Sequence, residues 1–147
     1  AGLPQSVVDA LNGTMDLTKG NSGMVLAMAL NYSGRVEIAD AARAIARDCV
    51  EGRLRPEDVD EKCVSEHLYT AQMPDPDLLI RTASELRVSN FLLWQICYSE
   101  FYVTDTLWPD FNDQSLDDAI LAYAARDRRF GGLESSTKVN ESKKVGM

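Results

Sequence analysis

The chain has 147 residues, of which 45% are hydrophobic and 26% are charged, and its formal net charge at pH 7 is −8. This length suits one domain of an ordinary globular protein, and no apolar run approaches the roughly 18 residues of a membrane-spanning helix. The acidic balance argues against a nucleic acid as the partner, because a phosphate backbone needs a basic face. The three cysteines form no CxxC pair, so neither a zinc site nor a disulfide framework is indicated.

The first half of the chain alternates helical and strand-like patterns. Apolar periodicity predicts helices over residues 4–19, 36–51 and 61–68, with a short helical turn at Pro56. The apolar run 24–30 predicts a strand that is buried on both faces, as parallel sheets require. The segment 31–35 is then a turn at the carboxyl end of that strand, where open α/β sheets bind ligands.

The second half continues the alternation. The predicted elements are strands over 77–81 and 99–103, a loop over 82–89, a short helix over 90–97, a turn over 108–111 and a helix over 116–128 capped by Ser115. Together these elements predict an α/β fold with a mainly parallel sheet flanked by helices. Residues 1–132 form part of one domain, and residues 133–147 are expected to be a disordered polar tail.

The stretch from residue 75 to residue 111 carries the groups that are suited to an anion. An apolar run ends at Arg81, and Arg87 and Ser89 follow in the next loop. Two guanidinium groups and a hydroxyl can grip a diphosphate, because guanidinium presents a planar fork of donors. A carboxylate in the same region, Glu100, can hold Mg²⁺ jointly with the diphosphate.

The motifs in this stretch resemble the C-terminal signature of the cis-prenyltransferases. The pattern is R-T-x-x-E-x-R-x-S-N-F-L-L-W-Q, then Y-x-E, then W-P-D-F, with N-Y-x-G-R upstream and R-R-F-G-G downstream. The resemblance implies condensation of isopentenyl diphosphate with an allylic diphosphate to give a cis-polyprenyl or short cis-prenyl diphosphate. It also implies Mg²⁺, a homodimer or heterodimer, and peripheral membrane association through the product.

The same resemblance assigns roles to individual residues. Arg81, Arg87 and Ser89 match the residues that hold the diphosphate of isopentenyl diphosphate, and Glu100 matches a carboxylate that helps to bind Mg²⁺. Further positions that match the family motifs are Glu85, Asn31, Arg35, Arg129 and Gly131. The alternatives are surface arginines at 81 and 87, a solvated carboxylate at 100, and a helix C-cap at 129–131.

Two observations leave a second function open. The family's aspartate and first phosphate-binding loop are not in this sequence, so we expect the chain to be incomplete and inactive alone. In addition, Ala83-Ser84 stands where the family carries a glycine-containing pair, and glycine alone tolerates positive φ freely. The alternative is a non-catalytic accessory subunit of a heterodimeric cis-prenyltransferase. His67, the one histidine, is expected to be a surface residue.

Overall fold

The computed structural model describes residues 2–126. They fall into two compact units. The first contains the chain up to Pro76 together with Arg87–Cys97, and the second contains Asp77–Leu86 and the chain from Tyr98 onward. The predicted tail, 133–147, lies outside the described residues, and the domain boundary at residue 132 stays a prediction. No helix of residues 2–126 is long and apolar enough to cross a membrane.

The first unit is built from three α-helices. These are α1, Gln5–Thr18, α2, Gly34–Val50, and α3, Glu61–Glu66, with a 3-10 turn at Pro56–Asp58. The predicted helices are confirmed to within a few residues. The N-terminus of α2 is capped by Ser33, whose side chain accepts from the backbone N–H of Val36. Asp60 caps α3 in the same way by accepting from Cys63 N–H. Such caps satisfy donors that have no partner within the helix.

One face of α2 is buried, and α2 contacts α3. The buried residues of α2 are Gly34, Glu37, Ala41 and Ile45. Their spacing of three and four residues is that of a single helical stripe. Cys63, Leu68 and Ile96 are the other buried apolar residues that this unit contributes. The core of the unit therefore has a carboxylate, Glu37, in line with its apolar residues.

Two predictions for the first unit are wrong. Residues 24–30 form no strand, and their side chains are exposed, up to 94% for Met24. A strand needs a hydrogen-bonded neighbour, and neither of the two strands in the described part of the chain pairs with this run. Residues 90–97 form successive turns in place of a helix. Positive φ angles at Asn90, 63°, and Leu92, 46°, are incompatible with a right-handed helix.

The second unit contains a parallel strand pair and one helix. Strand β1, Leu78–Arg81, pairs with β2, Glu100–Val103, so the expected parallel α/β arrangement is confirmed. Helix α4, Asp113–Ala124, contacts β2 and buries Ala119. A 3-10 turn, Trp108–Asp110, occupies the predicted turn. The predicted cap Ser115 is wrong, because Asn112 caps α4 by accepting from Ser115 N–H at 3.1 Å.

Candidate functional site

Arg81 lies at the carboxyl end of β1, opposite Val103 of β2. Its side chain is 34% exposed, and its Nη2 lies 4.0 Å from Oε2 of Glu85, four residues further along the chain. The guanidinium is therefore partly shielded from solvent at the edge of a parallel strand pair. An anion bound there would meet a cation whose attraction is only partly screened by water. The structure thus brings together two of the predicted site residues, Arg81 and Glu85.

The Ala83-Ser84 turn adopts a backbone conformation that glycine favours. The φ angles are 59° at Ala83 and 53° at Ser84, both in the left-handed region. Ala83 N–H donates to the carbonyl of Thr106 at 3.0 Å, and Ser84 N–H donates to the carbonyl of Thr104 at 2.8 Å. Left-handed backbone costs about 1–2 kcal/mol per non-glycine residue, so these hydrogen bonds offset a local strain. These two N–H groups already have acceptors, so a diphosphate in this loop would depend on side chains.

Glu100 is not brought to Arg81 by the strand pairing. The register pairs Glu100 with Leu78 and Arg81 with Val103, so the two groups lie at opposite ends of the pair. Three residues along a strand span about 10 Å, and side chains alternate between the two faces. Glu100 and Arg81 therefore also point to opposite faces of this pair. The expectation that Glu100 carries a metal onto a diphosphate held by Arg81 does not follow from this register.

Glu100 instead meets a cation that the sequence motifs did not single out. Arg126 donates from Nη1 to Oε2 of Glu100 at 2.6 Å and from Nη2 to the backbone carbonyl of Phe101 at 2.8 Å. Arg126 follows directly after the C-cap of α4, Ala125. The side chain of Glu100 is 29% exposed, and that of Arg126 is 39% exposed. The carboxylate predicted to bind Mg²⁺ is therefore occupied by a guanidinium.

Arg87 and Ser89 belong to the first unit, and their convergence with Arg81 on one anion stays a prediction. Ser89 has a φ of 50° and precedes Asn90, which binds the N-terminus of α2. The carbonyl of Asn90 accepts from Gly34 N–H at 2.9 Å, and its Oδ1 accepts from Arg35 N–H, also at 2.9 Å. The backbone donors at the start of α2 are thus consumed by Asn90 and the Ser33 cap. Sequence reasoning missed this role of Asn90, although Asn is a residue that tolerates positive φ.

A buried carboxylate was also missed. Glu37 is 0% exposed and accepts hydrogen bonds from the Tyr32 hydroxyl, from Tyr69 N–H at 2.9 Å, and from Gln95 Nε2 at 3.2 Å to both oxygens. Burial, followed by the hydrogen bond to Glu37, raises the pKa of the Tyr32 phenol well above its ordinary value. The signal was available, because Glu37 lies four residues before the apolar Ala41 on the same helical face.

The Glu37 cluster adjoins an open apolar cavity of about 350 Å³. The ring of Tyr32 packs edge-on against Phe91 at a centroid distance of 5.8 Å and against Tyr69 at 6.4 Å. The three rings line the cavity together with Met28 and Leu30. Asn31, a predicted motif position with a φ of 54°, also lines it. The buried carboxylate therefore binds the hydroxyl of one aromatic wall, Tyr32, and the backbone N–H of a second, Tyr69.

His67 is not a free surface residue. Its Nδ1 lies 2.7 Å from the carbonyl of Cys63, and its Nε2 lies 3.1 Å from Oδ2 of Asp48. The carbonyl of Cys63, followed by the carboxylate of Asp48, raises the pKa of His67 above its ordinary value. His67, which directly follows α3, is thereby joined to α2 through Asp48, and its role is structural.

Within residues 2–126, no group of three or more His, Cys, Asp or Glu side chains could hold a metal ion. Mg²⁺ does not need such a cage, since it commonly binds through one or two carboxylates together with substrate phosphates. Glu85 and Glu100 each fit the role of a single carboxylate ligand, and Glu85 does so beside Arg81. Arg129 and Gly131, the other predicted positions, lie outside the described residues.

Residues 1–131 match the family described as "Putative undecaprenyl diphosphate synthase". The chain is 54% identical over 135 residues to an isoprenyl transferase of Streptococcus thermophilus, covering 89% of this chain and 54% of the relative. It is 56% identical over 132 residues to an isoprenyl transferase of Heliobacterium mobile, covering 90% of this chain and 51% of the relative.

A solved structure shows the same fold. Lavandulyl diphosphate synthase from Lavandula x intermedia, in complex with dimethylallyl diphosphate, matches with a TM-score of 0.84 and 45% identity, covering 88% of this chain and 56% of that chain. The parallel strands and flanking helices of this chain therefore have the fold of the prenyl diphosphate synthases. The chain belongs to the undecaprenyl diphosphate synthase family, the cis-prenyltransferases. It spans about half the length of the curated relatives that it matches.

Proposed function

We propose that this chain binds isopentenyl diphosphate and contributes it to cis-prenyl chain elongation with an allylic diphosphate. The observation that carries the proposal is the placement of Arg81, a partly shielded guanidinium at the carboxyl end of parallel strand β1. Arg87 and Ser89 complete the proposed diphosphate site. Two planar forks of N–H donors and one hydroxyl suit the oxygens of a diphosphate in geometry and in the sign of their charge.

The proposed reaction assigns distinct work to these residues. The guanidinium groups of Arg81 and Arg87 hold the diphosphate of isopentenyl diphosphate. Its double bond is then fixed in an orientation that faces the allylic partner. The Ser89 hydroxyl supplies a neutral donor to the same diphosphate. Mg²⁺, when bound, neutralises negative charge on diphosphate oxygens. We assign its protein ligand to Glu100, following the family motif, at the other end of the strand pair from Arg81.

Binding of an isoprenoid tail is supported by the apolar cavity beside Tyr32. An open cavity of about 350 Å³ lined by Met28, Leu30 and Phe91 offers apolar surface to a short hydrocarbon chain. The dimer predicted from the family, with Arg129 and Gly131 reaching the partner's site, belongs to the same proposal. So does peripheral membrane association through a long product.

Direct titration tests the diphosphate site. Isothermal titration calorimetry would follow isopentenyl diphosphate binding, with and without Mg²⁺, to the wild type and to Arg81→Gln and Arg87→Gln. Loss of one charge-assisted contact should weaken binding by about tenfold or more. Arg55→Gln is the matched control, because Arg55 is an exposed arginine that is also ion-paired, with Asp58 at 2.7 Å. If all three substitutions weaken isopentenyl diphosphate binding equally, the proposed diphosphate site is wrong.

A turnover assay separates the enzyme from the accessory-subunit alternative. The chain, alone and mixed with the remaining part of a family enzyme, is given isopentenyl diphosphate, an allylic diphosphate and Mg²⁺. Product from the mixture that is lost with Arg81→Gln supports the enzyme, whereas product that is indifferent to Arg81 supports an accessory role. We expect no product from the 147-residue chain alone, and robust product would contradict that expectation.

A further inference from the structure

The carboxylate of Glu100 forms an ion pair with Arg126, which belongs to the same unit. Arg126 binds Oε2 of Glu100 at 2.6 Å and the carbonyl of Phe101 at 2.8 Å, so that one guanidinium bridges a side chain and the backbone of β2. A carboxylate oxygen engaged at hydrogen-bond distance by a guanidinium cannot present the same lone pair to a divalent ion. A cation that approaches Oε2 from the side of Arg126 must therefore displace it, and a cation bound elsewhere on the carboxylate is repelled by the positive charge of Arg126.

We propose that Arg126 competes with a divalent cation for Glu100, so that cation binding weakens or releases the Arg126 ion pair. This inference rests on the proposed function, in which Glu100 is a metal carboxylate. Arg126 is a positioning residue here, because it binds both the Glu100 carboxylate and the Phe101 carbonyl of β2.

The energetics allow the exchange. Both side chains are partly exposed, at 29% for Glu100 and 39% for Arg126, and ion pairs of this kind are weak. A divalent ion that also binds a diphosphate brings more charge to the carboxylate than one guanidinium does. The freed Arg126 carries a planar fork of donors that suits phosphate oxygens. Arg126 also lies just beyond the C-terminus of α4, where a positive charge is favourable.

The experiment measures metal binding rather than turnover. Mn²⁺ replaces Mg²⁺ and is titrated into the 147-residue chain in the presence of inorganic pyrophosphate, with free Mn²⁺ followed by electron paramagnetic resonance. Arg126→Met should tighten Mn²⁺ binding by about three- to tenfold, because the competing charge is removed. In the Glu100→Gln background the same substitution should have no effect. Arg55→Met, which removes another ion-paired arginine, should leave the affinity unchanged.

A second variant keeps the test decisive if Arg126→Met folds poorly. Arg126→Lys retains the charge, but an ammonium lacks the planar fork that bridges Glu100 and the Phe101 carbonyl, so a smaller gain in the same direction is expected. Unchanged or weaker Mn²⁺ binding in both variants, with binding still dependent on Glu100, overturns the inference and leaves the proposed function standing. Absence of any Glu100-dependent binding in wild type and variants overturns both.

Discussion

Gly34 packs against the Asn90 segment. We therefore expect Gly34→Ala to destabilise the chain, although alanine has the higher helix propensity. Gly34 is the first residue of α2, and its amide donates to the carbonyl of Asn90 at 2.9 Å. A Cβ at Gly34 would lie 3.0 Å from that carbonyl oxygen, and 3.0 Å and 3.2 Å from Cγ and N of Leu93. Two of these atoms belong to the backbone, so the side chain cannot be accommodated by a rotamer change alone.

The magnitude follows from two opposing terms. Replacing glycine by alanine within a helix normally stabilises it by about 1 kcal/mol. Forcing a methyl group into a tightly packed contact costs about 1–3 kcal/mol. We therefore expect Gly34→Ala to lower the free energy of unfolding by about 1 kcal/mol. With a urea m-value of about 2 kcal/mol/M for a small protein, the unfolding midpoint should fall by about 0.5 M.

Gly13→Ala is the matched control. Gly13 lies within α1, and a Cβ built on it meets nothing within 4 Å. The identical chemical change there should raise the unfolding midpoint, since only the propensity term acts. Urea unfolding followed by circular dichroism measures both variants. If Gly34→Ala stabilises the chain as much as Gly13→Ala does, the Asn90 segment is not packed on α2 and the reasoning fails.

Three further predictions concern stability. The raised pKa of His67 means that its stabilising contribution is complete below about pH 6.5 and is lost as the pH rises through the folded pKa. The urea midpoint should therefore fall as the pH rises above about 6.5, less so in His67→Gln, and an equal fall in both would contradict this. Glu37→Gln should cost about 2–3 kcal/mol, because the amide nitrogen would replace a buried oxygen that accepts from two donors, whereas the exposed control Glu61→Gln should cost little in the same assay. Ser84→Gly should stabilise the chain by about 0.5–1 kcal/mol by relieving a φ of 53°, and destabilisation would show that the turn is not strained.

Much of the secondary structure could be predicted because it depends on local patterns. Helix α2, strand β1 and strand β2 can each be recognised from the spacing of apolar residues within the element itself. The strand predicted at 24–30 had the right composition but lacked a partner among the described strands, and pairing is not a local property. The start of α4 was displaced because Asn112 and Ser115 are both good capping residues, and the sequence does not rank them.

The candidate site was predicted in its residue types but not in its geometry. Arg81 and Glu85 are neighbours because they are four residues apart in the chain, which a motif can show. The separation of Glu100 from Arg81 depends on the strand register, and its pairing with Arg126 joins residues 26 positions apart. Contacts of this kind depend on tertiary packing, so no spacing rule along the chain could have predicted them.

Backbone strain in this family member is concentrated where the motif residues lie. Five of the six non-glycine residues with positive φ in the described chain fall between 83 and 92, the stretch that contains Arg87 and Ser89. The first group, Ala83 and Ser84, donates hydrogen bonds to the carbonyls of Thr106 and Thr104. In the second group, residues 89–92, Asn90 accepts hydrogen bonds from the N-terminus of α2. A left-handed residue costs about 1–2 kcal/mol, so such a loop persists only where surrounding hydrogen bonds fix it. A loop fixed in this way would hold Arg87 and Ser89, the proposed diphosphate-binding residues, in place before the substrate binds. Less conformational entropy is then lost on binding.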